Sequence, residues 1–167
     1  AIHRAQRYLL RLQHPEGYWS GELEADSTLT SEYIMFRHFL RRVDLDRERK
    51  AANYLKAKQL PDGGWDLFPG GPRYMSATVK AYFAFKLMGY SPDDAFMRRA
   101  RENILAKGGV TKANVFTKIA LALFGQYDWR GVPSMPVEII LFPRWFYFNL
   151  YEVSYWSRTV IVPLLIL

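Results

Sequence analysis

The 167 residues are 50 % hydrophobic and 16 % aromatic, carry 23 Lys plus Arg against 16 Asp plus Glu, and include no Cys. That balance excludes a disordered chain, disulfides and thiolate metal sites, and the length suits one domain with a sizeable core. The net charge of +7 raises the question of an anionic partner, a nucleic acid or a membrane face.

Residues 2–12, within "AIHRAQRYLLRLQ", form an amphipathic helix and not a signal peptide. A turn, "LQHPEGYW", follows at 12–19. Residues 28–40 are predicted as a second helix, largely apolar. The densest basic stretch, residues 41–50, is broken by Asp44, Asp46 and Glu48. It reads as the solvated start of an amphipathic helix over 45–58, with no nucleic-acid motif around it. Of the functional readings of the charge, an anionic membrane face is preferred to nucleic acid.

The turn "KQLPDGGW" occupies 58–65, and an apolar helix, "MSATVKAYFAFKLM", covers 75–88. Ser91 as N-cap, Pro92 at the first helical position, and Asp93 and Asp94 in the first turn announce an amphipathic helix to residue 107. "NVFTKIALALF" at 114–124 is again apolar nearly all round, and Gly89 and Gly125 stop the two apolar helices. After Pro133 come a short helix near 136–141, an aromatic, Pro-rich loop through 142–150 and an inner helix from about Tyr151. The tail "VIVPLLIL" is short of the ~18 apolar residues a membrane span needs. A chain that starts without Met and stops in an apolar run reads as a piece of something larger, with a natural end beyond Leu167.

Outer amphipathic helix, Gly-rich turn, inner apolar helix: this order recurs near 1–41, 45–89 and 91–125. A shift of 46 lays Tyr8 on Tyr54, Leu9 on Leu55, Gln13 on Gln59, Gly17 on Gly63 and Trp19 on Trp65. A second shift brings Gly63 onto Gly109, but Leu105 and Thr111 stand where Gln and Trp would be. A helix pair per unit at this period predicts an all-α helical solenoid or closed α/α toroid. In the repeated turn, Gln supplies donors and an acceptor, Gly permits a tight turn, and Trp supplies a flat ring with an indole N–H in need of a partner. Together they can bind the end of one outer helix to the start of the next unit.

The repeated Gln-x-x-x-Gly-x-Trp after a Tyr-Leu helix resembles the QW repeat of triterpene cyclases. "EGYWSGELEADSTLTSEYI", "LPDGGWDLFPGGP", "KGGVTKANVFTKIALALFGQYDWRGVP" and "FNLYEVSYWSRTVIV" narrow the resemblance to bacterial squalene–hopene cyclases. It covers essentially the whole chain. It implies an α/α toroid of which residues 1–167 are the N-terminal part, about half of one barrel. It also implies proton-initiated cyclisation of squalene to hopene or hopanol, without metal or other cofactor. The repeated turns at Gln13, Gly17, Trp19, Gln59, Gly63 and Trp65 would brace the barrel. The family's location, on the cytoplasmic side of the cell membrane as a peripheral or monotopic protein, comes with the resemblance, as does a homodimer.

The family's proton donor sits in an Asp-x-Asp-Asp motif, which this chain does not contain. Asp44–Asp46 and Asp93–Asp94 both read as helix-start acids. His3, His14 and His38 have no ligand spacing, and no Gly-x-Ser-x-Gly or P-loop occurs. No residue is assigned a catalytic role, and the isolated chain is expected to be inert. Trp156 matches the family's cavity tryptophan, whose indole face suits a carbocation; a Trp packed between helices is the alternative. Val153 and Ile161 match apolar channel positions, and Glu152 with Arg158 reads as a polar network. An oxidosqualene cyclase, or an α/α-toroid binding module without chemistry, remains open.

Overall fold

The computed structural model describes residues 1–21 and 24–166; Glu22 and Leu23 of the "EGYWSGELEADSTLTSEYI" stretch, and Leu167, lie outside the described residues. Among the described residues seven α-helices form: α1 (Ile2–Leu12), α2 (Ser27–Phe39), α3 (Leu45–Ala57), α4 (Met75–Leu87), α5 (Ala95–Ala106), α6 (Val115–Leu123) and α7 (Tyr155–Leu164). Short 3-10 turns cover Val110–Lys112, Trp129–Gly131 and Val137–Leu141. Among the described residues there is no strand, only an isolated bridge between Asp66 and Arg73, so the chain is all-α. No described helix is long and apolar enough to cross a membrane.

The helix ends follow side-chain chemistry. Asp26 accepts from the Thr28 amide at 2.8 Å, Asp44 from Arg47 at 3.1 Å and Asn114 from Thr117 at 2.9 Å, each serving an amide that the first turn leaves unpaired. α4 ends at Gly89, whose φ of +86° lets the Tyr90 amide reach back to the Phe85 carbonyl. α5 differs from expectation. Ser91 does not cap it: its carbonyl accepts from the Asp94 amide and its hydroxyl from the Asp93 amide, closing a turn around Pro92. Proline's fixed φ suits that turn, and the helix starts three residues later with Asp94 at its N-cap.

The chain divides into two compact units, Ala1–Lys112 and Ala113–Leu167. In the first, α4 packs along α2 and α5, and α3 packs on α2. The core joins Ile34, Ala52, Leu55, Trp65, Phe85, Met97 and Ala100 to three alanines of α4, Ala77, Ala81 and Ala84, whose small side chains let the helices approach closely. Phe85 meets Tyr90 and Phe96 edge to face at 5.3 and 4.9 Å, and the Lys56 ammonium sits 4.0 Å from the Tyr90 ring centroid. α4 buries nine of its 13 residues. One of them is Lys80, 3 % exposed, whose ammonium pairs with half-exposed Glu32 of α2.

The other two apolar helices are less covered. α2 leaves Leu29, Phe36 and Phe39 exposed, and α6 buries only Thr117, Leu121 and Ala122. A helix that is apolar all round needs neighbours on every side. In the second unit the Trp129–Gly131 turn packs on α6.

A surface link ties the start of α2 to α3. The Tyr54 hydroxyl donates to Glu24 Oε1 (3.2 Å) and to the Ala25 carbonyl (3.0 Å), while the Lys58 ammonium pairs with the same carboxylate. The Lys58 hydrogen bond, then that of Tyr54, holds the Glu24 carboxyl below its ordinary 4.5, and the Glu24 hydrogen bond holds Lys58 above 10.5. Partial burial, then the Glu24 hydrogen bond, pushes Tyr54 above its ordinary 10.0. A lowered carboxyl stabilises the fold above its unfolded value and loses that contribution as pH falls through its folded value; raised Lys58 and Tyr54 do the reverse on the alkaline side. Thermal melts of the chain and its Glu24→Gln variant should therefore differ at neutral pH and converge as pH drops below 4.5. A gap independent of pH would mean that the pair contributes nothing through charge.

Candidate functional site

The two Gln-to-Trp turns share one set of bonds. Gln13 Nε2 donates to the Gly17 carbonyl at 2.7 Å, and Gln59 Nε2 to that of Gly63 at 3.0 Å. Trp19 Nε1 donates to the Leu9 carbonyl at 2.7 Å, and Trp65 Nε1 to that of Leu55 at 2.8 Å. The amides of His14 and Leu60 donate to the carbonyls of Tyr18 and Gly64, and those of Gly17 and Gly63 return to His14 and Leu60. Both glycines are left-handed, φ +90° and +85°. The local reason lies at the helix end. The amide four residues on, Gln13 or Gln59, turns to Leu10 or Lys56, leaving the Leu9 and Leu55 carbonyls without it. The indole takes its place.

Docking separates the copies. Trp19 is 50 % exposed, Trp65 is 0 %. Gln59 Nε2 also donates to the Phe96 carbonyl, its Oε1 accepts from Arg99, and the Asp62 carbonyl accepts from buried Asn103, so the second turn is fastened along α5. The Trp65 amide donates to the hydroxyl of Thr78 on α4 at 3.1 Å. A Cβ on Gly63 would lie 2.5 Å from the Arg99 carbonyl carbon; around Gly17 nothing lies within 4 Å. Sequence reasoning missed Arg99 and Asn103. Shifted by 46 they fall on Asn53 and Ala57, so the repeat carried no signal for them. In the third repeat Thr111 lies in a 3-10 turn and its hydroxyl donates to the Gly108 carbonyl, giving a different closure.

The second unit holds an apolar cavity of about 550 Å³. Val115, Phe116 and Ile119 of α6 line it, with Trp129, the 132–135 loop, and Val160, Ile161 and Leu164 of α7. Ser134 is the one polar residue in that lining. Of the three expected cavity residues, Ile161 is in the wall, and Val153 and Trp156 are not among the lining residues. Trp156 is 78 % exposed and meets Tyr155 edge to face. It lies four and eight residues before Val160 and Leu164, on the helix stripe that enters the wall.

α7 starts at Tyr155, four residues later than expected. Buried Asn149 takes the Tyr151 and Glu152 amides on Oδ1 and gives Nδ2 to the Arg144 and Phe146 carbonyls, making a turn of 149–152. Ser154 then caps the helix through the Ser157 amide. Glu152 therefore precedes the helix, and no ion pair joins it to Arg158 among the described residues. Nor do three His, Asp or Glu side chains cluster as metal ligands there.

Residues 2–167 match the family model described as the squalene–hopene cyclase N-terminal domain. The chain is 53 % identical to the squalene–hopene cyclase of Zymomonas mobilis over 99 % of its length, and 51 % identical to a probable squalene–hopene cyclase of Sinorhizobium fredii over all of it. It is 47 % identical, over 99 %, to the squalene–hopene cyclase of Schizosaccharomyces japonicus. It spans about a quarter of the length of these curated relatives: 25 %, 26 % and 25 % respectively.

Unequal docking gives the two glycines unequal costs. Gly17→Ala should cost about 1–2 kcal/mol of left-handed strain. Gly63→Ala should add about 1–3 kcal/mol from the backbone shift that Arg99 forces. Denaturant unfolding of both variants measures this, and equal losses would mean that the α5 contact carries no energy.

Proposed function

The chain belongs to the squalene–hopene cyclase N-terminal domain family, and from that membership we propose that it works as one wall of a triterpene cyclase that converts squalene to hopene or hopanol. One observation carries the reading: an almost wholly apolar cavity, within the roughly 300–1,000 Å³ of small-molecule pockets, between helices of the second unit. A hydrocarbon substrate offers no hydrogen bonds, so a site for it has few polar groups to place and much surface to match.

Protonation of a terminal double bond leaves a tertiary carbocation. Each neighbouring double bond attacks in turn, closing a ring and passing the charge on, until a proton is lost to give hopene or water is captured to give hopanol. The acid is expected from sequence outside this chain, which has no Asp-x-Asp-Asp motif, so these 167 residues alone should be inert. Their part is to hold the folded chain of double bonds, exclude water and face the moving charge with ring electrons. Trp156 suits the last task, because an indole face stabilises a cation most where water is excluded. Ile161 and Val153 shape the channel. The turns at Gln13–Trp19 and Gln59–Trp65 keep the wall rigid while the chain reacts. Peripheral binding to the cytoplasmic membrane face, where a lipid substrate can enter, and a homodimer follow from the same reading; the +7 charge supports the first.

The test uses the full-length protein with squalene and, separately, oxidosqualene, with products identified by gas chromatography and mass spectrometry. Hopene or hopanol from squalene is expected. Trp156→Ala should slow it about thirtyfold, the equivalent of about 2 kcal/mol of lost cation–π stabilisation, or divert it to partly cyclised products. Trp156→Phe should keep more activity than alanine. Turnover of the epoxide alone would assign the protein to the sterol branch, and no cyclised product from either would leave a toroid without this chemistry.

A further inference from the structure

The first unit has another hollow, of about 320 Å³, at the C-terminal end of α5, which the cyclase reading does not use. Arg73, Met75, Asn103, Lys107 and Lys112 line it: three cations and no carboxylate. The acid beside it, Asp62, is already engaged, one oxygen to Arg73 Nη1 at 2.8 Å and the other to the Gly64 amide at 3.0 Å. Lys107 and Lys112 have no acidic partner within 4.0 Å among the described residues. Both lysines are exposed, and the Lys112 stem lies across Gly108, where a Cβ would come 3.1 Å from Cγ and 3.4 Å from Cε. Asn103, 7 % exposed and tied through Nδ2 to the Asp62 carbonyl, fixes the floor.

Cations gathered around one concavity repel unless an anion lies between them, and a tetrahedral oxyanion accepts from several at once. We propose that this hollow binds a phosphate-type oxyanion, held by Arg73, Lys107 and Lys112. Two sources share that chemistry, a free phosphate or diphosphate and a phospholipid headgroup. The proposal rests on the first unit alone and is independent of the cyclase reading. The competing role for the lysines is to complement the negative end of α5, whose last carbonyls already accept from the amides of Lys107, Gly108 and Gly109.

The full-length protein is titrated calorimetrically with sodium pyrophosphate and with inorganic phosphate at low ionic strength. In parallel it is sedimented with phosphatidylcholine vesicles with and without phosphatidylglycerol. Saturable heat, or pelleting that needs phosphatidylglycerol, is expected. Each should weaken about tenfold in Lys107→Gln or Lys112→Gln and vanish in the double variant. Arg101→Gln, outside the lining, should stay within about twofold, and Lys112→Arg should retain binding. Heat without vesicles identifies a free phosphate, and pelleting alone identifies a headgroup. The proposal is overturned if neither assay saturates, if Arg101→Gln weakens binding as much as the lysine variants, or if the double variant loses stability while binding as before.

Discussion

One helix-end carbonyl organises the first unit. Leu55 has lost the amide four residues on, and the indole of Trp65 donates to its oxygen in full burial. That oxygen also accepts from the Lys58 amide at 3.2 Å, and the buried indole N–H without its acceptor would cost about 1–3 kcal/mol, so the tryptophan is held in place as well as holding. Its ring then becomes the meeting point of three helices. Its amide bonds Thr78 on α4, its ring lies tilted by 38° beside Phe85 at 6.2 Å, and the Gln59 at the start of the same turn reaches Phe96 on α5. Distances between α3, α4 and α5 thus refer to one turn of seven residues.

The comparison with Gln13–Trp19 separates two levels of cause. The Gln, Gly and Trp bonds of the turn are all present there, so that local pattern is sufficient for its shape. Yet Trp19 stays half exposed and nothing lies within 4 Å of a Cβ on Gly17, whereas the second turn meets Phe96, Arg99 and Asn103 of α5. Local chemistry makes the turn, and the facing helix decides whether it is a clamp. The third repeat has neither Gln nor Trp, and a pair of left-handed glycines, Gly108 and Gly109, follows its first helix instead.

Charge is distributed to match. Lys80 enters the most buried helix of the first unit only with Glu32 beside it, and Glu48, 5 % exposed, lies 3.0 Å from His38 Nε2. The cavity of the second unit has Ser134 as its one polar residue. For carbocation chemistry that division is physically sensible, since a wall with few polar groups offers little to capture the cation. The proposed cyclase role and the ordered polar network of the first unit therefore make different demands, and different parts of the chain meet them.

Helix positions were legible because apolar periodicity and capping residues are local: seven helices fall within a few residues of where pattern alone put them, and Gly89 and Gly125 end theirs with left-handed turns. Where boundaries moved, a side chain bonded its own neighbourhood. Ser91 closed a turn around Pro92, and Asn149 gathered 144–152 before α7 could start. The repeated turn, too, was written in Gln, Gly and Trp at fixed spacing. What sequence could not decide was which surfaces meet. Arg99 and Asn103 against the second turn, Lys80 with Glu32, Ile161 in a cavity wall while Trp156 stands out from it: all these depend on residues distant along the chain being brought within a few ångströms. Periodicity specifies a helix and its apolar side, but the partner of each side is set only when the helices pack.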